Sequence, residues 1–227
     1  MRGKFITFEG GEGTGKSTQA AMLALRLQSL GLGVQLTREP GGSPGAEIMR
    51  YVLLSGAAKP FGPEAEAMLF AAARHDHVQQ TILPALAAGK WVVCDRFADS
   101  TRVYQGILGA LDQRFIKALE RVSTGDLRPD LTLVLDVPVE VGLKRAAGRA
   151  RGATPDRFEA ENVDFHQRLR SAYRALAASE KARCVVIDAR APKKTVAQQV
   201  WQAVQARLKP DPTPVDLEGV PHEPAGA

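Results

Sequence analysis

The residues from 10 to 17 have the order of glycines, lysine and hydroxyl that is typical of a phosphate-binding loop. They read Gly-Gly-Glu-Gly-Thr-Gly-Lys-Ser and fit the pattern G-x-x-x-x-G-K-[ST]. In such a loop the backbone N–H groups surround a phosphate, the lysine bridges the β- and γ-phosphates, and the hydroxyl is a ligand of Mg²⁺. The sequence therefore predicts a nucleoside triphosphate site. Its candidate residues are Gly10, Gly11, Glu12, Gly13, Thr14, Gly15, Lys16, Ser17 and Thr18.

A second pair of charged residues follows an apolar segment. Asp95 and Arg96 come directly after residues 91–94, Trp-Val-Val-Cys. An acidic residue at the end of a buried strand is where a phosphate-loop fold holds Mg²⁺, so Asp95 is a candidate metal ligand beside Ser17. The planar fork of Arg96 suits a second phosphate, which an enzyme that only hydrolyses ATP does not need. The alternative is a structural ion pair between the two neighbours.

Two further sets of residues recur at helical spacing. Phe70 and Arg74 are four residues apart and share one helix face, where the ring can stack on a nucleobase and the guanidinium can reach the edge of that base. For Phe70 the alternative is an ordinary place in the core. The second face carries hydroxyls and an amide one turn apart: Ser100, Thr101, Tyr104 and Gln105.

Between residues 144 and 157 the chain carries five basic residues and one acidic residue, and glycines interrupt the segment. A solvated basic loop or an RNA-binding patch would have the same composition. Phosphoryl transfer, however, needs cations at the phosphoryl oxygens and exclusion of water, and a closing loop with arginines supplies both. We therefore predict an arginine-rich lid over about residues 145–158.

These residues need a fold that brings distant segments together. Five short apolar segments, separated by helical patterns, are predicted strands: residues 5–8, 33–38, 91–95, 131–137 and 183–188. Apolar strands that alternate with helices indicate a parallel sheet covered on both faces. The predicted fold is therefore α/β, a P-loop NTPase fold with a five-stranded parallel sheet. Ligands of such a sheet bind beyond the carboxyl ends of the strands, and most of the candidate residues follow a strand.

The length of 227 residues favours a single globular domain, which we predict over residues 1–209. Residues 210–227 hold five of the 14 prolines and no aromatic residue, which predicts a disordered tail. The net charge of +5 is not concentrated in one run, so we expect no nucleic-acid partner. Cys94 and Cys184 lie in apolar segments and no stretch is long enough to span a membrane, which predicts a reduced, cytoplasmic protein without membrane attachment.

Taken together, these motifs resemble those of the thymidylate kinase family. The resemblance covers about residues 4–205 and includes the glutamate of the phosphate loop, the Phe70 and Arg74 pair and the helical face after residue 97. It also includes three short segments: 38–42 (Arg-Glu-Pro-Gly-Gly), 95–97 (Asp-Arg-Phe) and 156–159 (Asp-Arg-Phe-Glu). The resemblance implies a homodimer that transfers the γ-phosphoryl group of ATP to dTMP with Mg²⁺, a step of dTTP biosynthesis.

The resemblance also implies a role for each side chain that binds dTMP. Phe70 would stack on thymine, and Arg74 would contact its carbonyl edge. Arg96 would bind the phosphate of dTMP with help from Arg38, and Tyr104 would fill the space that a ribose 2′-hydroxyl needs. The implied dTMP-binding residues are Glu12, Arg38, Glu39, Pro40, Phe70, Arg74, Arg96, Ser100, Thr101, Tyr104 and Gln105.

The family divides by the origin of its catalytic arginine, which lies in the phosphate loop or in the lid. Residues 11–14 contain no cation, so the chain resembles the bacterial, lid-arginine type. The candidate catalytic residues are Lys16, Arg96, Arg149, Arg151 and Arg157. The resemblance implies that adenine lies between Arg145 and the turn that begins at Arg190.

Two alternatives remain open at this point. The first is a kinase for another nucleoside monophosphate or a deoxynucleoside, against which Arg96 and the Phe70 and Arg74 pair argue. The second is a P-loop ATPase or GTPase switch. No Asn-Lys-x-Asp guanine signature is present, and a switch would not need a second phosphate site.

Overall fold

The structure is a computed structural model, and the residues it describes are 2–149, 158 and 161–210. Over these residues the chain forms one sheet of five parallel strands in the order β2-β3-β1-β4-β5. The strands are Phe5–Glu9 (β1), Val34–Arg38 (β2), Trp91–Asp95 (β3), Leu131–Asp136 (β4) and Cys184–Asp188 (β5). Each agrees with a predicted strand to within one residue at either end, so the predicted sheet is confirmed.

Helices connect the strands, and two segments are π-helical. The α-helices are Lys16–Gln28 (α1), Pro44–Leu54 (α2), Gly62–His77 (α3), Leu83–Ala87 (α4), Ala98–Thr101 (α5), Gln113–Thr124 (α6), Val139–Arg149 (α7), Val163–Ser179 (α8) and Lys193–Leu208 (α9). A 3₁₀ turn covers Lys59–Phe61, and π-helical segments cover Val78–Ile82 and Arg102–Leu108. No helix in the described ranges is long and apolar enough to cross a membrane.

Apolar side chains cover both faces of the sheet, which explains why its central strands are mostly apolar. On one face Ile6 and Phe8 of β1 pack with Leu23 of α1 and Val200 of α9. On the other face Phe5 packs in a cluster whose further members are Val78, Ile82, Ala85, Leu86, Val92, Cys94, Phe97, Ala98 and Leu127. A parallel sheet is buried on both sides in this way because its crossover helices lie on both faces.

The strand order brings the candidate residues to one edge of the sheet. Strand β3 lies between β1 and β2, with Phe8 and Arg38 both opposite Asp95 in the parallel register. The loops that follow these three strands therefore leave the sheet side by side. They are the phosphate loop, residues 39–43 and residues 96–97.

The phosphate loop touches α7 backbone to backbone. Gly13 has a φ of +67°, and a Cβ at this position would lie 1.9 Å from the carbonyl oxygen of Gly142. A Cβ at Gly142 would in turn lie 2.5 Å from the carbonyl oxygen of Glu12. Only glycine permits this approach on both sides. The contact fixes the start of α7, the helix that leads into the predicted lid.

Parts of two predicted segments lie outside the described residues. They are positions 150–157 and 159–160, which include most of the predicted lid, and positions 211–227 of the predicted tail. The lid and the domain boundary at residue 209 stay predictions.

Substituting the two glycines of α7 tests the backbone contact. Gly142→Ala should lower the free energy of unfolding by about 1–3 kcal/mol, because the new methyl group overpacks against a carbonyl oxygen. Gly148→Ala is the matched control, since a Cβ there meets nothing within 4 Å. The control should be neutral or stabilising by up to about 1 kcal/mol. Urea unfolding measures both, and equal effects in the two variants would contradict the contact.

Candidate active site

The phosphate loop connects β1 to α1 and holds its lysine close to the backbone. Gly15 precedes the helix with a φ of +95°, a conformation that favours glycine. The Nζ of Lys16 donates a hydrogen bond of 2.8 Å to the carbonyl oxygen of Gly11. Burial, followed by the charge of Arg96, lowers the pKa of Lys16. The loop thus keeps a cation at the helix N-terminus, where the helix dipole also favours an anion.

The two predicted metal ligands lie in contact. The Oγ of Ser17 donates a hydrogen bond of 2.5 Å to Oδ2 of Asp95, although 78 positions separate them. The other oxygen, Oδ1, is buried without a hydrogen-bond partner among the described residues. These hard oxygen atoms fit Mg²⁺, which takes few protein ligands and otherwise binds phosphate oxygens and water. The described part of the chain contains no cluster of three or more His, Cys, Asp or Glu that could hold a metal ion.

Arg96 directly follows β3 and has a φ of +69°, a backbone conformation that is uncommon for residues other than glycine. Its Nη2 forms a partly buried ion pair with Oε1 of Glu12. Nη1 lies 3.3 Å from the carbonyl oxygen of Gly10 and 3.4 Å from both Ser100 Oγ and Tyr173 OH. No ion pair joins Arg96 to Asp95 within the described residues, so the simple structural pairing of these neighbours is not found.

Tyr104 contacts both members of the Arg96 and Glu12 ion pair. Its hydroxyl donates a hydrogen bond of 3.0 Å to Oε1 of Glu12, and its ring lies 5.3 Å from the guanidinium carbon of Arg96. The ring also meets Phe158 edge-on with the centroids 5.1 Å apart. Tyr104 belongs to the π-helical segment Arg102–Leu108, a geometry that occurs often at functional sites and that the residue spacing did not predict.

In the predicted base-binding pair, hydrogen bonds to neighbouring residues fix the position of the Arg74 side chain. Arg74 is 3 % exposed, and its Nε donates to Oε2 of Glu39 at 2.8 Å. Its Nη2 donates to the carbonyl oxygen of Phe97 at 3.1 Å and to Thr101 Oγ1 at 3.0 Å. Phe70 is half-buried on the same helix. Glu39, a predicted dTMP ligand, therefore supports Arg74 and also lies 3.1 Å from His77 Nδ1.

A single cavity of about 430 Å³ collects most of the predicted residues. Those that line it are Glu12, Gly13, Gly15, Lys16, Ser17, Arg38, Glu39, Pro40, Phe70, Arg74, Asp95, Arg96, Ser100, Thr101, Tyr104 and Gln105. Five more residues line the cavity that were not candidate site residues, although Ala146 and Phe158 lie in the predicted lid and Phe97 in a predicted motif: Arg50, Leu54, Phe97, Ala146 and Phe158. Arg38 reaches the cavity from the end of β2, and its Nη2 donates to Glu47 Oε1 at 3.0 Å.

Other predicted residues lie away from this cavity. Arg145 donates to the carbonyl oxygens of Ala189 and Arg190 at 2.9 Å and 3.2 Å, so the two sides of the predicted adenine site meet at the end of β5. Thr18 is exposed on α1. Gly10, Gly11 and Thr14 line a smaller cavity behind the loop. Arg149 ends α7, but its side chain lies outside the described residues, as do Arg151 and Arg157.

Comparison with known proteins agrees with this arrangement. A family model described as "Thymidylate kinase" matches residues 8–200. The chain belongs to the thymidylate kinase family. It is 62 % identical over 214 residues to the thymidylate kinase of Bradyrhizobium diazoefficiens, covering 94 % of each chain. It is 63 % identical over 207 residues to that of Nitrobacter winogradskyi, covering 91 % of this chain and 90 % of the other.

The fold agrees with a solved member of the family. The crystal structure of thymidylate kinase from Ehrlichia chaffeensis has a TM-score of 0.71 and 32 % identity to this chain, and the match covers 90 % of this chain and 99 % of the other. The resemblance to thymidylate kinases and the P-loop NTPase fold are therefore confirmed, and the chain is a phosphotransferase. The roles of individual site residues stay predictions.

The sequence analysis did not single out Glu9, a buried glutamate at the end of β1. Glu9 accepts hydrogen bonds from the backbone N–H of Phe97 at 2.8 Å, from Ser100 Oγ at 2.7 Å and from Tyr173 OH at 3.1 Å. Burial, and next the charge of Asp99, raises the pKa of Glu9 from 4.5 to about 7. The available signal was a carboxyl group at the end of an otherwise apolar strand. Glu9 thus connects the segment that begins at Phe97 to β1.

The raised pKa of Glu9 makes stability depend on pH. Between about pH 4.5 and pH 7 the folded chain binds more protons at this site than the unfolded chain, so the unfolding free energy should fall as pH rises through that window. Glu9→Gln removes this contribution. The difference between the unfolding free energies, wild type minus Glu9→Gln, should therefore decrease as pH rises from about 5 to about 8. The decrease should be on the order of 3 kcal/mol.

Urea unfolding at several pH values measures this difference. The matched control is Glu140→Gln, which changes an exposed carboxyl group of α7 and should leave the pH profile of wild type unchanged. Parallel profiles for wild type and Glu9→Gln would contradict the raised pKa.

Proposed function

We propose that the chain transfers the γ-phosphoryl group of ATP to dTMP and releases ADP and dTDP, as a Mg²⁺-dependent step of dTTP biosynthesis. The observation that carries the proposal is that one cavity contains both the phosphate-loop lysine and the Phe70, Arg74 and Arg96 set. A donor and an acceptor would meet there in one space. An enzyme that only hydrolyses ATP needs no such second site.

On the donor side the phosphate loop and Lys16 would hold the ATP phosphates. Ser17 and Asp95 would hold Mg²⁺, and the metal when bound would neutralise charge on the phosphate oxygens. Adenine would lie near Arg145 and Arg190, whose mutual contact forms one wall at the end of β5. The phosphate and metal assignments follow the strand-loop-helix order of the site, and the adenine assignment follows from the family resemblance.

On the acceptor side Arg96 would bind the phosphate of dTMP, with Arg38 nearby, and Phe70 would stack on the base. Tyr104 would contact the deoxyribose, where its ring leaves little room for a 2′-hydroxyl. The acceptor is already a phosphate oxyanion, so transfer needs no general base, and catalysis consists of positioning and charge stabilisation. His77 supports this view because it is fully buried between Thr37 and Glu39.

We also propose that two copies of the chain form a homodimer in the cytoplasm. Large apolar residues are exposed on three helices that pack in series, α2, α3 and α6. Ile48 and Tyr51 of α2 are 71 % and 77 % exposed, and Met68 of α3 and Val122 of α6 are exposed as well. Burial of such a surface against a second copy is favourable.

A panel of nucleoside monophosphates in a coupled ADP assay tests the function. ADP should form with dTMP and only slowly without an acceptor. Arg96→Ala should lower kcat/KM for dTMP, because a charge-assisted contact to phosphate is lost. The loss should correspond to about 2–5 kcal/mol of transition-state stabilisation. Arg96→Lys should recover only part of this loss, since a point charge replaces a fork. Arg114→Ala, at a 93 % exposed side chain, is the control. ADP formation that is independent of dTMP would reject the proposal.

The lid arginines have their own test. Arg149, Arg151 and Arg157 are each changed to Ala, and kcat and the Kd for dTMP are measured. At least one variant should lose about 10³-fold in kcat, the scale of an arginine finger, with little change in dTMP binding. If all three variants keep the wild-type kcat, the catalytic cation must come from outside the lid.

A further inference from the structure

The side-chain amide of Gln105 is held in one orientation. Its Nε2 donates a hydrogen bond of 2.9 Å to Oε1 of Glu66 on α3. Both residues are buried, at 3 % and 4 % exposure, and Gln105 also lines the active-site cavity. An ionised carboxylate has only acceptor atoms, so it can face the NH₂ group of the amide and not its oxygen.

This contact decides which amide atom is offered to a ligand. The Oε1 of Gln105 has no hydrogen-bond partner among the described residues, yet it is not one of the enclosed atoms without a partner. It is therefore accessible to some extent, and Gln105 is one of the residues that line the cavity. Gln105 therefore presents its oxygen, a hydrogen-bond acceptor, to the cavity. Glu66 maintains this orientation by binding the NH₂ group of the amide.

Arg74 offers the complementary donor. Its Nε and Nη2 are engaged by Glu39, Phe97 and Thr101, which leaves Nη1 without a partner among the described residues. Thr101, which accepts from Arg74, lies one helical turn before Gln105. One donor and one acceptor of fixed identity thus lie near each other, beside the ring of Phe70.

The pyrimidine bases differ in the order of these groups along their edge. Thymine and uracil present an acceptor at O4 and a donor at N3–H, whereas cytosine presents a donor at its 4-amino group and an acceptor at N3. We propose that Glu66 is a positioning residue that restricts the acceptor substrate to pyrimidines with an N3–H, because it fixes the polarity of the Gln105 amide. This inference rests on the proposed function.

Glu66→Gln tests the inference with little change in shape. A glutamine at this position can both donate and accept, so the Gln105 amide becomes able to turn its NH₂ group to the cavity. The ratio of kcat/KM for dTMP to kcat/KM for dCMP should fall about tenfold or more, because a site that matches hydrogen bonds discriminates through groups left without partners. Glu64→Gln, at an exposed position of the same helix, is the matched control and should keep the ratio.

A substrate ratio separates this role from a merely structural one, since general damage to the fold lowers both values together. An unchanged ratio in a folded Glu66→Gln enzyme would overturn the inference. If wild type turns over dTMP and the ratio does not move, the inference alone fails; if wild type does not turn over dTMP, the proposed function fails.

A second measurement uses only the wild-type protein. Calorimetry compares dTMP with 5-methyl-dCMP, a compound of the same size in which an unprotonated ring nitrogen replaces N3–H and an amino group replaces the carbonyl at position 4. The analogue should bind about tenfold more weakly or worse, because the Gln105 oxygen then faces a group that cannot donate. Equal affinity for the two compounds would overturn the inference whether or not Glu66→Gln folds.

Discussion

Carboxylates hold the arginines of the active site, and the rest of the structure depends on this pairing. Arg96 pairs with Glu12, Arg74 with Glu39 and Arg38 with Glu47. A buried guanidinium without a partner would be costly, and several cations brought together would repel one another. The paired carboxylates let the chain fold with its cations already in position. Preorganised charge of this kind is what phosphoryl transfer requires, because the protein then need not reorganise as charge moves.

The parallel sheet makes these pairs possible. Glu12 follows β1, Glu39 follows β2 and Arg96 follows β3, and the three strands are neighbours. Their ends meet because parallel strands all run toward the same edge. The phosphate loop also contacts α7 directly through the backbone at Gly13 and Gly142, where side chains would prevent the two segments from coming so close.

Buried polar groups at this edge lower stability and support function. Glu9 is enclosed at the end of β1 with a raised pKa, so its ionised form is unfavourable in the fold. It nevertheless anchors Phe97 and Ser100, and Phe97 in turn accepts from Arg74. The same acid therefore connects the central strand with both the phosphate-binding and the base-binding parts of the proposed dTMP site. Such exceptions to apolar packing are expected at functional sites.

The sequence by itself determined the five strands, the phosphate loop and the residue types of the site, because periodicity and short motifs are local properties of the chain. Tertiary structure alone decided which polar groups meet. Arg96 pairs with Glu12 at a separation of 84 residues, not with its neighbour Asp95. Glu39 supports Arg74 across 35 residues, and Glu66 holds Gln105 across 39. These partners depend on strand order and helix packing, which set distances between segments that no local pattern records.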